Sequence, residues 1–218
     1  MNIRTINKKD YSTILELDKK VYPTSFPVTK KIIQKWYVNN PEFGGIFEEN
    51  GIIKGIIIAI PLNKNGWNAL TQGELKEAEI EKNTLFNNLR DKELFIHIYH
   101  IEKLDKTIKQ FHKLTLQYLN SIITNLKKEN KLLEVNGFSG LCVTKEGINL
   151  FEKKFNCEEK DFIIQENILE KNGEKNVLES NSKKEINKKI QQGYKYINRC
   201  KMLVINKNEK SNLWEYIK

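Results

Sequence analysis

With 218 residues, 39% of them hydrophobic, the chain can bury the core of a single domain without help from disulfides or a metal. Its 37 basic and 28 acidic residues give a formal charge of +9. That field could hold a polyanion such as nucleic acid or the phosphates of a nucleotide cofactor, although the lysines are spread rather than clustered. Three widely spaced cysteines (Cys142, Cys157, Cys200), three histidines outside any zinc spacing and an apolar run of only 52–62 exclude a disulfide framework, a metal site and a membrane helix.

In chain order, residues 2–7 are β-compatible. Asp10 then precedes a helix whose apolar positions Tyr11, Ile14, Leu15, Leu17 and Val21 recur at helical spacing. Pro23 and Pro27 interrupt it, and Ile32, Ile33, Trp36 and Tyr37 mark a second helix that ends before Pro41. Strands at 44–49 and 52–62 flank Asn50-Gly51, a strong hairpin signal. Gly55 marks either a bulge or the close approach of another segment or a ligand. Residues 63–92 form a polar, weakly helical insertion before an apolar strand at 93–101. A helical stripe from Thr107 to Leu126 follows, then a strand with two glycines at 133–143, a helix at 145–155 and a strand at 161–170. Residues 171–181 are hydrophilic and 183–197 suggest a Lys-rich helix, so 171–198 is expected to be an excursion before a last strand at 200–206. Residues 1–20 have no secretory signal pattern, and a cytoplasmic location is expected.

This order of elements resembles that of the GNAT superfamily of acyl-CoA-dependent N-acyltransferases over nearly the whole chain. The most specific local match is Thr144-Lys145-Glu146-Gly147-Ile148-Asn149-Leu150-Phe151-Glu152-Lys153, which is similar to the family's T-x-E-G-x-x-L-Y-E-K. The resemblance implies one α/β domain over 1–218. Its mixed, mostly antiparallel twisted sheet would have about seven strands, helices on both faces, and a splay between the fourth and fifth strands. It also implies an acetyl group passing from acetyl-CoA to a primary amine, a small molecule or a peptide, by direct attack in a ternary complex.

The expected site residues follow from the same resemblance. Ile96-His97-Ile98-Tyr99-His100-Ile101 is similar to the corresponding strand of arylalkylamine N-acetyltransferases, which makes His97 the candidate base; its other reading is a packed, hydrogen-bonded histidine. Some base is needed, because an alkyl amine with a reference pKa of about 10.4 is mostly protonated at neutral pH. Main-chain groups of Tyr99, His100 and Ile101 would pair with the pantetheine, with Gly137 and Gly140 giving clearance. Thr144 would lie near that arm. Position 151 would face the thioester sulfur, but it is Phe151 where many members have an acidic tyrosine, so it either faces the sulfur without an acid or fills the core. The pyrophosphate loop would fall at 107–112. Its glycines are absent, and Lys109, Gln110, Phe111, His112 and Lys113 form the expected cofactor-binding set, with Lys106 nearby. Trp36, Tyr37 and Trp67 are the candidates for gripping the acceptor, against a default of core packing. The alternative is a binding or sensor module with a degenerate cofactor loop; docking on RNA or another acidic partner would use 183–201. The sequence leaves the oligomeric state open.

Overall fold

The computed structural model describes residues 1–22, 27–161 and 166–217. Among them the β-prone runs form β1 (Asn2–Thr5), β2 (Gly44–Glu49), β3 (Ile52–Leu62), β4 (Glu93–Lys103), β5 (Glu134–Cys142), β6 (Glu158–Lys160), β7 (Glu166–Lys171), β8 (Glu174–Glu179), β9 (Lys195–Arg199) and β10 (Lys201–Asn206). The helices are α1 (Tyr11–Val21), α2 (Lys30–Trp36), α3 (Lys64–Gln72), α4 (Phe111–Glu129), α5 (Lys145–Asn149), α6 (Lys183–Gln191) and α7 (Leu213–Tyr216). No helix among the described residues is long and apolar enough to cross a membrane.

A seven-stranded sheet runs β1-β2-β3-β4-β5-β10-β6, antiparallel throughout except for the parallel pair β4 and β5. Asn50 and Gly51, both at positive φ, close the β2–β3 hairpin as their dipeptide predicts. The β4–β5 pairing begins at Glu93↔Glu134 and ends at His97↔Ser139, yet β4 continues to Lys103 and β5 to Cys142. Beyond His97 the two strands part. On its other edge β4 pairs His100 with Ile58 and Ile98 with Ala59, leaving Tyr99 as the extra residue of a bulge. That extra residue reverses the alternation, so His97 and His100 share one face although they are three apart.

Helices cover both faces of the sheet. Trp67 of α3 stacks on Phe95 of β4 and fills the space above Gly137. On the opposite face the α4 residues Phe111 and Tyr118 lie over Gly55 and Gly45. Phe111 answers the question Gly55 posed: a Cβ there would come within 2.4 Å of the Phe111 ring, so a protein side chain makes the close approach. A bulge lies beside it, where the β2–β3 register shifts between Phe47 and Glu48. This is the mixed, splayed sheet with helices on both faces that the sequence resemblance implies.

Three expectations change. Residues 171–198 are more than an excursion, since β8, β7 and β9 form a second, three-stranded sheet. The expected helix at 183–197 stops at Gln191. Gly193 (φ +88) takes the left-handed position past the helix end, and Tyr196 and Asn198 then pair with β7. The expected strand at 161–170 is described from Glu166 onward; Pro23 and residues 162–165 lie outside the described residues. At the start of α1, Asp10 holds the cap position without capping. Its carboxylate accepts instead from Arg4 and from the Asn7 N–H, at 2.8 Å each.

Candidate functional site

His97 lies on the α3-covered face of β4 and is wholly enclosed. Its Nδ1 is 2.9 Å from Ser139 Oγ on β5, and its Nε2 is 2.7 Å from Glu77 Oε1. Trp67 Nε1 donates to the same Ser139 Oγ at 3.1 Å. Glu77 opens a short 3-10 turn (Glu77–Glu79) inside the 63–92 insertion. Nothing in the periodicity of that polar stretch singles it out.

Around the Tyr99 bulge sits a cluster of carboxylates and hydroxyls. His100 Nε2 meets Glu102 Oε2 at 3.0 Å, and its Nδ1 lies 3.7 Å from Asp18 of α1. Burial opposes a charge on His100, but hydrogen bonds and attraction from Asp18 and Glu102 outweigh it and raise its pKa to about 9. Burial, and then the charges of Asp18 and Glu77, push the Tyr99 hydroxyl far above its ordinary range; it is also hydrogen-bonded to Asp18. Tyr22 donates to Glu166, whose carboxyl is itself raised by burial. Neutral phenols, a charged imidazole and several carboxylates therefore meet where β4 leaves β5.

A different chemistry occupies the start of α4. Gln110 is its N-cap residue at φ 52, ψ 40, the left-handed conformation that a loop glycine adopts freely. Gln110, His112 and Lys113 line a pocket of about 330 Å³ together with Lys154, Phe155, Asn212 and Tyr216. The His112 pKa is lowered, by burial first and then by the charges of Lys113 and Lys154. The N-terminus of this 19-residue helix adds its own positive end to that field. Lys109 is exposed beside the pocket and does not line it. The Phe111 side chain is buried edge-on against Phe47 at 4.9 Å, so this residue of the expected cofactor set offers the pocket only its main chain.

Thr144 caps α5, its Oγ1 accepting from the Gly147 N–H at 3.0 Å, and a π-helical turn, Leu150–Lys154, follows. This places the Phe151 ring edge-on to Phe155 and over Gly140, where a Cβ would come within 2.8 Å of Phe151 Cζ and 3.2 Å of the Ile98 carbonyl oxygen. Phe151 thus stands beside the gap between β4 and β5, without a proton to give. The clearance at Gly137 and Gly140 is taken up by Trp67 and Phe151.

The three aromatic acceptor candidates are all buried, which suits core packing better than an open groove. Trp36 sits edge-on to Tyr99 at 5.1 Å, Tyr37 donates to the Ala59 carbonyl at 2.8 Å, and Trp67 belongs to the His97 network. Burial raises the thiol of Cys157 to about 12 and pushes those of Cys142 and Cys200 well above the ordinary range. Sequence reasoning missed Glu77, Ser139, Asp18, Glu166 and Lys154, which come from five separate segments and meet the site only through tertiary packing. Among the described residues no group of three or more His, Cys, Asp or Glu could hold a metal ion.

No family model and no curated protein matches the chain. Solved structures to which it is similar include Arabidopsis thaliana Naa50 in complex with the bisubstrate analogue CoA-Ac-MVNAL (13% identity, 94% of this chain and 97% of that chain, TM-score 0.46). Another is Ard1 from Thermoplasma volcanium (10% identity, 95% of this chain and 98% of that chain, TM-score 0.45). A third is the GphF GNAT-like decarboxylase in complex with isobutyryl-CoA (12% identity, TM-score 0.43), of which the chain spans 65%, as it does of itself.

Proposed function

We propose that the protein is a GNAT-type N-acyltransferase that moves an acetyl group from acetyl-CoA to a primary amine. The observation that carries this reading is the gap where β4 parts from β5 beyond His97 and Ser139, with the cationic start of α4 close by. An extended, polyanion-tipped donor has its two requirements met by those features. Main-chain groups around Tyr99, His100 and Ile101, released from β5, can pair with the amides of a pantetheine arm. His112, Lys113, Lys154 and the α4 N-terminus offer positive charge to phosphates. Gln110, held in the left-handed conformation, replaces the loop glycine in backbone shape while adding a side chain.

The acceptor enters from the carboxylate-rich side, where Asp18, Glu77, Glu102 and Glu166 favour a cation. The amine nitrogen attacks the thioester carbonyl once it has lost its proton. The thiolate departs without help from Phe151, which is tolerable for a thiol whose reference pKa is about 8.5. No acyl-enzyme on Cys142 is invoked, because its thiol is buried and its pKa raised.

Acetyl-CoA should raise the melting temperature, by an amount set by its concentration relative to Kd. Lys113→Ala and Lys154→Ala should each weaken CoA about tenfold or more while leaving a phosphate-free pantetheine thioester nearly unaffected. No shift at millimolar acetyl-CoA, in a protein shown to be folded, would remove this reading. A second reading, a binding or sensor module with lost or weakened cofactor binding, is favoured by Phe151 and the glycine-free loop; it requires that no amine be acetylated.

A further inference from the structure

The Trp67–Ser139–His97–Glu77 chain has a direction, and the direction decides which residue can act. An indole N–H donates only, so Ser139 Oγ must accept from Trp67, and its own proton is then free for His97 Nδ1. With Nδ1 accepting, the neutral ring has its proton on Nε2, which donates to Glu77 Oε1. These residue types also occur in hydrolytic triads, but Ser139 is fully enclosed and no substrate carbonyl can reach it. His97 is enclosed too, with both nitrogens engaged. Of the groups in the chain that could accept a proton, Glu77 is the one open to solvent, with 12% of its side chain exposed. Its charge is felt by Tyr22, Tyr99, Cys142, Glu166 and Cys200, so it faces the place where β4 leaves β5.

We propose that Glu77 is the base that takes the proton from the substrate ammonium, and that His97, backed by Ser139 and Trp67, positions its carboxylate. The inference rests on the acyl-transfer reading above. One ammonium proton passes to a Glu77 oxygen, and the freed lone pair forms the C–N bond. The C–S bond breaks with its electron pair leaving on sulfur; a second N–H proton goes to that thiolate. Glu77 then returns its proton to solvent along its exposed edge. The titratable and charged groups around it are His97 on β4, Glu79 on its own turn, Lys76 beside it, Glu179 of β8 paired with Lys76 at 3.4 Å, and Glu166 of β7 near Tyr22.

The test compares two acceptors at pH 7.5: phenethylamine, which is protonated, and methoxyamine, which is already neutral. Glu77→Gln should lower kcat for phenethylamine roughly 100-fold or more, and hardly change it for methoxyamine. Glu77→Asp should fall between, and calorimetry should show unchanged CoA affinity in all variants. His97→Gln should lower kcat less than Glu77→Gln. Equal losses for both amines, or full phenethylamine turnover in Glu77→Gln, would overturn the assignment while leaving acyl transfer standing; absence of CoA binding by the wild type would instead sink the underlying reading. A readout independent of turnover is the His97 imidazole ¹⁵N spectrum. It should show the Nε2–H tautomer in wild type and change in Glu77→Gln; an Nδ1–H tautomer refutes the wiring.

Discussion

Gly55→Ala tests whether packing of the sheet sets the start of α4. Glycine in a strand is ordinarily unfavourable, and alanine there would stabilise by a few tenths of a kcal/mol if the space were open. Here the new methyl would lie 2.4 Å from Phe111 Cζ, 2.7 Å from Cε2 and 3.0 Å from the Glu102 carbonyl oxygen. Ordinary carbon contacts begin near ~3.5 Å, so the ring must retreat by about 1 Å. It has nowhere soft to go: Phe111 is the first residue of α4, and its other edge is held by Phe47 at 4.9 Å. Overpacking of this kind costs about 1–3 kcal/mol. For a chain of this size that is a fall of roughly 2–4 °C in melting temperature per kcal/mol. The same displacement moves the turn carrying His112 and Lys113, so CoA affinity should fall along with stability. Thermal unfolding of Gly55→Ala, Phe111→Leu and the double variant would measure the coupling. The double variant should be less destabilised than the sum by about 1 kcal/mol or more. Additive losses, or no loss from Gly55→Ala, would refute the reasoning.

The His100 cluster should make stability depend on pH. Because the folded-state pKa is raised, to about 9 from 6.5, its contribution is complete below pH 6.5 and disappears as pH rises through about 9. Denaturant unfolding of the wild type should lose about 2–3 kcal/mol over that window, whereas His100→Gln, less stable throughout with Asp18 and Glu102 unpaired, should lack this decline. Cys142→Ala should retain acetyl transfer, and all three native thiols should react slowly with iodoacetamide at pH 8; a covalent acyl adduct on Cys142 detected by mass spectrometry would contradict the direct-attack reading.

Legibility followed how local each signal is. Asn50-Gly51 announced its hairpin because the turn chemistry lies in the dipeptide itself. The α4 stripe was equally local. The second sheet was not readable, because β8 (Glu-Lys-Asn-Val-Leu-Glu) and β9 (Lys-Tyr-Ile-Asn-Arg) have no fully buried residue and carry little of the apolar alternation that marks a strand with one face in the core. Gly193 was a usable stop signal for α6, and its dipeptide with Tyr194 marks the end of the helical pattern. At the site, His97 was visible through the resemblance of its strand to that of arylalkylamine N-acetyltransferases. Glu77 was not, since its role comes from a fold-back of the insertion onto β4. Sharing of a face by His97 and His100 also escaped the alternation rule, because the bulge at Tyr99 is a property of the pairing with β3 and not of the six residues alone.

The formal charge of +9 turns out to be less informative than its local arrangement. On the α4 side of the sheet, Lys113 and Lys154 lower the His112 pKa, showing a positive potential around the pocket they line. On the opposite side, Asp18, Glu77, Glu102 and Glu166 gather around Tyr22, Tyr99 and His100, and their negative potential is strong enough to hold a buried imidazole charged. The two fields are kept apart by the sheet and communicate through the gap where β4 leaves β5. A one-sided basic surface would favour a polyanion lying along it. Opposed fields across a gap favour two ligands of opposite charge that meet in the middle, a phosphate-bearing donor and an ammonium acceptor, with the carboxylate of Glu77 on the side from which the ammonium must arrive.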